Sequence, residues 1–464
     1  MTSKEKNTFN FPNLYECTVA IIGLGYVGLP LAVEFAKKTN CLISGKKIFR
    51  KIVGFDINLK RLEELNHGLD QTNEITPKEL SQVEFLDLTS KISSIARADV
   101  FIISVPTPID KFKNPDLSAL KKASITVGKA LKLRAQNQQH LTSKKIPVVI
   151  FESTVFPGTT EDICVPIIEK EFGCEKQNNT KKPSFVFGYS PERINPGDKT
   201  HSLVDIKKIT SGNNKSSAEW IKNFYGSIIK AGVYSAKTIK IAEAAKIIEN
   251  TQRDLNIALV NELAIIFKFM NIDTLEVIEA ASTKWNFIPF KPGLVGGHCI
   301  GVDPYYLTYK AELLGYSPKL VLAGRAINDS MGEWIAEQII LEMARKNINL
   351  RKANILIMGF TFKENCSDIR NTRVIDLIKY LESYKINLDI VDPLVNKKDV
   401  KDVYNINIKN HIPNKKKYSV VIATVAHADF IKIKAEYWLS LIKSNGFFFD
   451  VKGFLPKLLN AIRL

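Results

Sequence analysis

The chain is poor in cysteine and has no long apolar run. Its six cysteines, at positions 17, 41, 164, 174, 299 and 366, are scattered over 464 residues. No two of them stand at metal-ligand spacing, so no metal centre is expected. In a chain of this length they do not form a disulfide framework either; reduced thiols in a cytosol are the expectation. A stretch of about 18 uncharged apolar residues is lacking, which argues against a membrane span. The first 16 residues, MTSKEKNTFNFPNLYE, hold no apolar signal core, and a cytoplasmic location follows as the expectation. Short internal repeats are absent. What the chain has in excess is positive charge: 65 Lys and Arg against 48 Asp and Glu, a net +17. That balance favours anionic partners, whether nucleic acid, a membrane surface or phosphorylated small molecules. The lysine runs are not interleaved with aromatics as a single-strand stacking platform requires, so neither nucleic acid nor membrane is the expected partner.

Hydrophobic patterning divides the chain. After a polar arm over 1–16, short β-branched runs alternate with helical segments: TVAIIGL, IVGFD, DVFIISV and PVVIFEST. This alternation predicts a parallel, doubly wound sheet over 17–213. From 214 to 330 Ala, Ile and Leu recur at helical spacing, most clearly over 237–270, and predict a helical middle domain. A second α/β pattern, with NILIMGF, NLDIVDP, YSVVIATVA and GFFFDV, fills 331–464. The expected class is α/β: two Rossmann-like doubly wound parallel-sheet domains joined by a helical domain.

The first candidate site is Gly23-Leu24-Gly25-Tyr26-Val27-Gly28, a G-x-G-x-x-G between a strand and a helix. Gly23 permits the turn, Gly25 lets backbone approach a pyrophosphate, and Gly28 allows helix and strand to pack closely. The amides of the helix N-terminus then face the phosphates. Asp56 ends the second strand, where a carboxylate accepts ribose hydroxyls and repels a 2′-phosphate, favouring NAD. The alternative reading, a helix cap or turn residue, is the lesser one here. The spacing from Gly28 is longer than usual, and 41–51 reads as an insertion whose basic residues could contact the cofactor.

The second candidate site surrounds Cys299, in the glycine-rich stretch FIPFKPGLVGGHCIGVDPYYL. An irregular glycine-rich setting leaves a thiol accessible, whereas structural cysteines sit inside apolar elements. Asp303, four residues on, is either a working carboxylate or a turn residue; His298 is either a base or held by backbone. On the helix over 237–270, Glu243, Lys246, Asn250 and Arg253 share one stripe. The stripe is either an exposed polar face or the lining of a cleft. A lysine near a thiol favours thiolate, and a lysine with an amide stabilises an oxyanion.

Together these residues resemble the UDP-glucose/GDP-mannose dehydrogenase family, and within it the branch acting on UDP-N-acetylhexosamines. The shared motifs are GLGYVGLP (23–30), VPTP (105–108), ESTVFPGTT (152–160), SPERINPGD (190–198), AEAAKIIENTQRDLNIALVNE (242–262), PGLVGGHCIGVDPYYL (292–307) and GFTFKENCSDIRNT (359–372). The resemblance spans about 17–455. It implies an NAD domain, a helical dimer-forming middle and a UDP-sugar domain, assembled as a homodimer or higher homo-oligomer. It also implies a four-electron oxidation of the sugar C6 alcohol with two NAD, for surface-polysaccharide precursors. By this resemblance Cys299 is the nucleophile, Lys246 and Asn250 hold the oxyanion, and Asp303 transfers protons or activates water. Thr154 and Glu192 complete the catalytic set. Tyr26, Val27, Arg61, Pro106, Thr107 and Thr154 join the glycines and Asp56 around NAD. Glu192, Arg193, Lys246, Asn250, Arg325, Lys363 and Arg370 surround the nucleotide sugar, with Arg193 near an acetamido group. The competing readings are UDP-glucose, UDP-N-acetylmannosamine or GDP-mannose as substrate, a two-electron hydroxyacid dehydrogenase, and a non-catalytic nucleotide- or nucleic-acid-binding protein.

Overall fold

The computed structural model describes residues 9–37, 39–72, 74–137, 145–173, 184–192, 202–414 and 416–464. The chain forms two compact units, Met1–Ile248 and Glu249–Leu464. The division falls inside one long helix, Ile239–Phe269.

In the first unit, β1 (Thr18–Ile22) opens the sheet and lies inside it, between two later strands. A small hairpin follows, β2 (Thr39–Asn40) and β3 (Lys47–Ile48), then β4 (Lys51–Phe55), β5 (Leu86–Thr89) and β6 (Val100–Ile103). The remaining strands are β7 (Val148–Phe151), β8 (Val186–Tyr189), β9 (Lys208–Gly212) and β10 (Val233–Ser235). Among the described residues eight strands join in the order β10-β9-β8-β7-β6-β1-β4-β5. Every pair is parallel except β8 with β9. β6 and β7 are buried along their whole length. That is why they read as unbroken apolar runs: helices cover both faces of a parallel sheet, leaving no solvent side to alternate with.

Two expectations are corrected here. The sheet runs on through β9, the helix Lys215–Gly226 and β10, so the boundary at 213/214 lies too early. Helical periodicity at 215–226 reflects a helix packed on a sheet, not the start of a bundle. The segment 41–51 is not a cofactor element either. Lys51 pairs in register with Thr18, at the start of two parallel strands. Gly23 and Asp56 lie at the other ends of those strands. Arg50 is buried, donates to the Leu14 carbonyl at 2.8 Å and to Ser227 Oγ at 2.8 Å, and lies over the rings of Phe224 and Phe35. The described part of the N-terminal arm packs on the same unit: Phe11 stacks on Trp220, whose indole donates to the Pro12 carbonyl.

In the second unit β11 (Asn354–Met358), β12 (Asn387–Val391), β13 (Tyr418–Ala423), β14 (Ile442–Asp450) and β15 (Ile462–Arg463) form a parallel sheet, ordered β12-β11-β13-β14-β15. The helix Lys319–Arg345 buries Met331, Ile335, Ile339 and Met343 in the same core as Ile355 and Ile357. It therefore carries across the expected boundary at 330/331. Both sheets are doubly wound, and each reverses direction beside its first strand, at β1/β6 and at β11/β13. Ligands of open α/β sheets bind at such switch points. No helix among the described residues is long and apolar enough to cross a membrane.

Candidate functional site

The turn after β1 lies at the first switch point. Gly23 has φ +95°, a conformation that side chains other than glycine's rarely adopt. A Cβ on Gly28 would stand 1.8 Å from the Gly23 carbonyl oxygen, so the helix Gly28–Ala36 can sit this close only with glycine there. A Cβ on Gly25 would meet nothing within 4 Å; the backbone there faces open space. Asp56 accepts from the Leu24 amide at 2.8 Å and from the Asn58 amide at 2.9 Å. One carboxylate thus fixes the glycine turn while keeping further lone pairs for ribose hydroxyls. Arg61 donates from Nε to the Leu24 carbonyl and from Nη2 to Asp70, and its Nη1 is buried without a hydrogen-bond partner. Arg61 thus also holds the turn. An open backbone cradle, a diol-ready carboxylate and a buried guanidinium nitrogen fit a dinucleotide.

The segment after β7 is tied to the VPTP segment: Ser153 Oγ donates to the Val105 carbonyl, and Thr107 Oγ1 to the Thr154 carbonyl. Glu192 is buried. Arg193 lies outside the described residues. Of the polar stripe, Glu243, Lys246 and Asn250 are buried, so it is no exposed face. Arg253 is part-exposed, donating to Asn250 Oδ1 at 2.9 Å.

In the second unit Cys299 sits in the turn leading into the helix Asp303–Leu313. Among the described cysteines it is the one that is not buried. The Asp303 amide donates to the Cys299 carbonyl at 2.8 Å, and Asp303 Oδ2 accepts from Asn250 Nδ2 at 2.6 Å. The structure therefore brings Asn250, Cys299 and Asp303 together, with Lys246 one turn before Asn250 on the same helix. Gly297, at φ +84°, exchanges hydrogen bonds with Asn371, and His298 Nδ1 stands 3.5 Å from Asp368. Arg325 is 1% exposed and ion-paired to Asp254 at 2.5 Å and to Asp329. Its guanidinium is thus held between two carboxylates, with Nε buried and without a hydrogen-bond partner.

At the second switch point a small depression is lined by Gly296, Thr361, Phe362, Lys363, Arg373 and Lys452, among others. Lys363, Arg373 and Lys452 make it basic. Arg370 lies outside this lining, half-exposed and clamped by Asp368 through Nε and Nη2. Lys452 escaped the sequence reading; its position just past β14, at the ligand-binding edge of a parallel strand, was the available signal.

Known proteins resemble this chain along almost its whole length. Residues 17–229 match the NAD binding domain of the UDP-glucose/GDP-mannose dehydrogenase family, 240–330 its central domain and 356–457 its UDP binding domain. This chain belongs to that family. Its cofactor is NAD. A UDP-N-acetyl-D-glucosamine 6-dehydrogenase of Salmonella typhi is 50% identical over 97% of this chain and 99% of its own length. One of the same name from Pseudomonas aeruginosa is 48% identical over 96% of this chain and 99% of its own. Among solved structures, a UDP-D-ManNAc dehydrogenase of Pyrococcus horikoshii superposes with a TM-score of 0.78 at 26% identity, covering 95% of this chain and 96% of that one.

Proposed function

We propose that this enzyme oxidises the C6 alcohol of a UDP-N-acetylhexosamine, UDP-N-acetylglucosamine first among them, to the uronic acid through a thioester on Cys299. The product would serve surface-polysaccharide synthesis, made in the cytoplasm by a homodimer or higher homo-oligomer. The cluster Asn250–Asp303–Cys299 carries the chemical reading: a partly exposed thiol in the turn that leads into a helix, whose first residue is a carboxylate bonded to a buried amide. The names of the two relatives near 50% identity support the substrate.

Gly23, Gly25, Gly28, Asp56 and Arg61, with Tyr26, Val27, Pro106, Thr107 and Thr154 beside them, would hold NAD. Two NAD, bound in turn, would each accept one of the two hydrides that leave C6, one from the alcohol and one from the cysteine adduct. Asp303, or Lys246, takes the alcohol proton, directly or through water. The Cys299 thiolate adds to the aldehyde carbon and forms a thiohemiacetal. The Lys246 ammonium and the Asn250 amide hold its oxyanion. Loss of the second hydride and the hydroxyl proton leaves a thioester. Water activated by Asp303 and Glu192 then cleaves the carbon–sulfur bond, releasing the carboxylate and restoring the thiol. Lys363 and Arg370 would bind the nucleotide diphosphate, and Arg193 the acetamido group.

The test is Cys299→Ser assayed for NADH and, by mass spectrometry, for uronate. At most one NADH per sugar and no uronate are expected; two NADH with full uronate would sink the thioester scheme. UDP-N-acetylglucosamine, UDP-N-acetylmannosamine, UDP-glucose and GDP-mannose assayed side by side decide the sugar.

A further inference from the structure

Glu243 belongs to the polar stripe that also carries Lys246 and Asn250, yet the reaction above gives it no task. Its carboxylate is fully buried. Oε2 accepts from the Gly158 amide at 2.6 Å and Oε1 from the Thr160 amide at 2.9 Å. These two amides close the ESTVFPGTT segment, which contains Thr154, at the point where it enters a π-helical turn, Thr160–Cys164. Such turns are rare and concentrate at functional sites. Gly158 has φ +97°, a conformation that residues other than glycine rarely adopt. Glu243 lies in the first turns of the helix that bears Lys246.

We infer that Glu243 is a positioning residue: its ionised carboxylate fastens the loop bearing Thr154 to the helix bearing Lys246, and protonation releases that loop. The inference rests on the reaction proposed above, which places Thr154 and Lys246 at the reacting centre. The physical reason is an acceptor count. A carboxylate offers two acceptor oxygens, each able to take an N–H, whereas the acid form turns one of them into a donor facing a backbone donor. Hydrogen bonds to the charged form are also the stronger ones.

The groups around Glu243 set where the change falls. Burial, with Glu161 adding like charge, pushes its carboxyl up to about 7 against the pull of the two amides. Asp162 is partly neutralised by Lys240, 3.6 Å away. The Cys164 thiol, pushed up to about 12 by burial with Glu243 as a further cause, stays neutral; Lys121 acts on that thiol too. The sign is distinctive. Because the native value lies above the unfolded one, folding favours the proton: this stabilisation is complete below about 4.3 and is lost as pH rises through about 7. The anchor that catalysis needs forms on the side where Glu243 adds nothing to stability. A merely structural carboxylate would couple activity and stability in the same direction.

Two measurements decide the matter. Wild-type kcat with UDP-N-acetylglucosamine should carry an ionisation near 7, falling about tenfold per pH unit on its acid side. Glu243→Gln should lower kcat roughly ten- to a hundredfold, abolish that limb, and leave NADH binding intact. A variant that keeps the wild-type limb overturns the proposal, as does one whose kcat and NADH affinity fall together. The second measurement needs no variant. Hydrogen exchange of wild-type peptides spanning Gly158 to Thr160, corrected for intrinsic rate, should lose protection below about pH 7; unchanged protection overturns the anchor. Failure of every nucleotide sugar to yield NADH would break the proposed reaction, and the exchange experiment would still decide the anchor.

Discussion

At the end of β1 the chain turns through Gly23, and at the end of β11 through Gly359, with φ of +95° and +105°. The two turns are built alike. Gly23 donates to the Phe55 carbonyl and Gly359 to the Val391 carbonyl, each at 2.8 Å. The next residue of the neighbouring strand is an aspartate: Asp56 accepts from the Leu24 amide, Asp392 from the Phe360 and Thr361 amides. From the other neighbour a hydroxyl closes the turn, Ser104 on the Gly23 carbonyl and Thr424 on the Gly359 carbonyl. No sequence repeat announces this correspondence.

Beyond the glycine the two paths diverge. The first turn enters a helix at Gly28, so backbone and helix dipole face the ligand. The second runs through a long loop before the helix at Val374, and side chains such as Lys363 line the depression there. Asp56 remains part-exposed. Asp392 is sealed: His427 Nε2 stands 3.0 Å from it, and Nδ1 of the same ring accepts from the Asn365 amide. With Nδ1 an acceptor, the proton is on Nε2 and points to Asp392. One carboxylate is left available to a ribose; its counterpart is turned wholly to holding a loop.

The sharpest way to break the correspondence is Gly28→Ala. Its Cβ would meet backbone at 1.8 Å, and the expected result is loss of NADH binding by fluorescence titration, with UDP affinity kept. Next comes Asp392→Asn, which strips the charge from a buried pair and should cost about 3 kcal/mol in denaturant unfolding. Asp56→Asn should instead cost under about 1 kcal/mol in stability while weakening NAD roughly tenfold. Equal stability losses would contradict the division of labour. The Asp392 difference should depend on pH. Against its burial, the His427 hydrogen bond holds the Asp392 carboxyl below the ordinary carboxylate value. Its stabilisation is therefore complete above about 3.9 and withdrawn as pH falls through the lower native value. Melts of wild type and Asp392→Asn should converge toward acid. The smallest effect is expected for Ser104→Ala and Thr424→Val, about 1 kcal/mol each in thermal melts, similar for the two turns.

Much of the fold was legible because its strands are buried on both faces and its helices have clear limits. The helices at 59–66 and 374–383 fall where the pattern places them. The domain boundary was not legible, since a helix on a sheet and a helix in a bundle show the same period. Cys299 and Asp303 are four residues apart, and their neighbourhood could be read as a motif. Glu243 with Gly158, or Asp392 with His427, join residues distant in sequence, and only folding pairs them. Arg61 and Arg325 show a further limit: a position can match a pattern without disclosing that carboxylates or carbonyls surround its charge.

The buried Arg50 has a consequence for how the first unit is assembled. Its Ser227 partner lies 177 residues further along the chain, and the Pro12 carbonyl waits 208 residues for Trp220. A ribosome delivers both partners late. Until the helix Lys215–Gly226 has emerged, the arginine has neither its hydroxyl nor the Phe224 ring, and the start of the chain has nothing to dock on. The unit thus cannot close until nearly all of its own residues have emerged, and contacts of such long sequence separation place it among slow-folding topologies, with apolar strands exposed to chaperones in the interval.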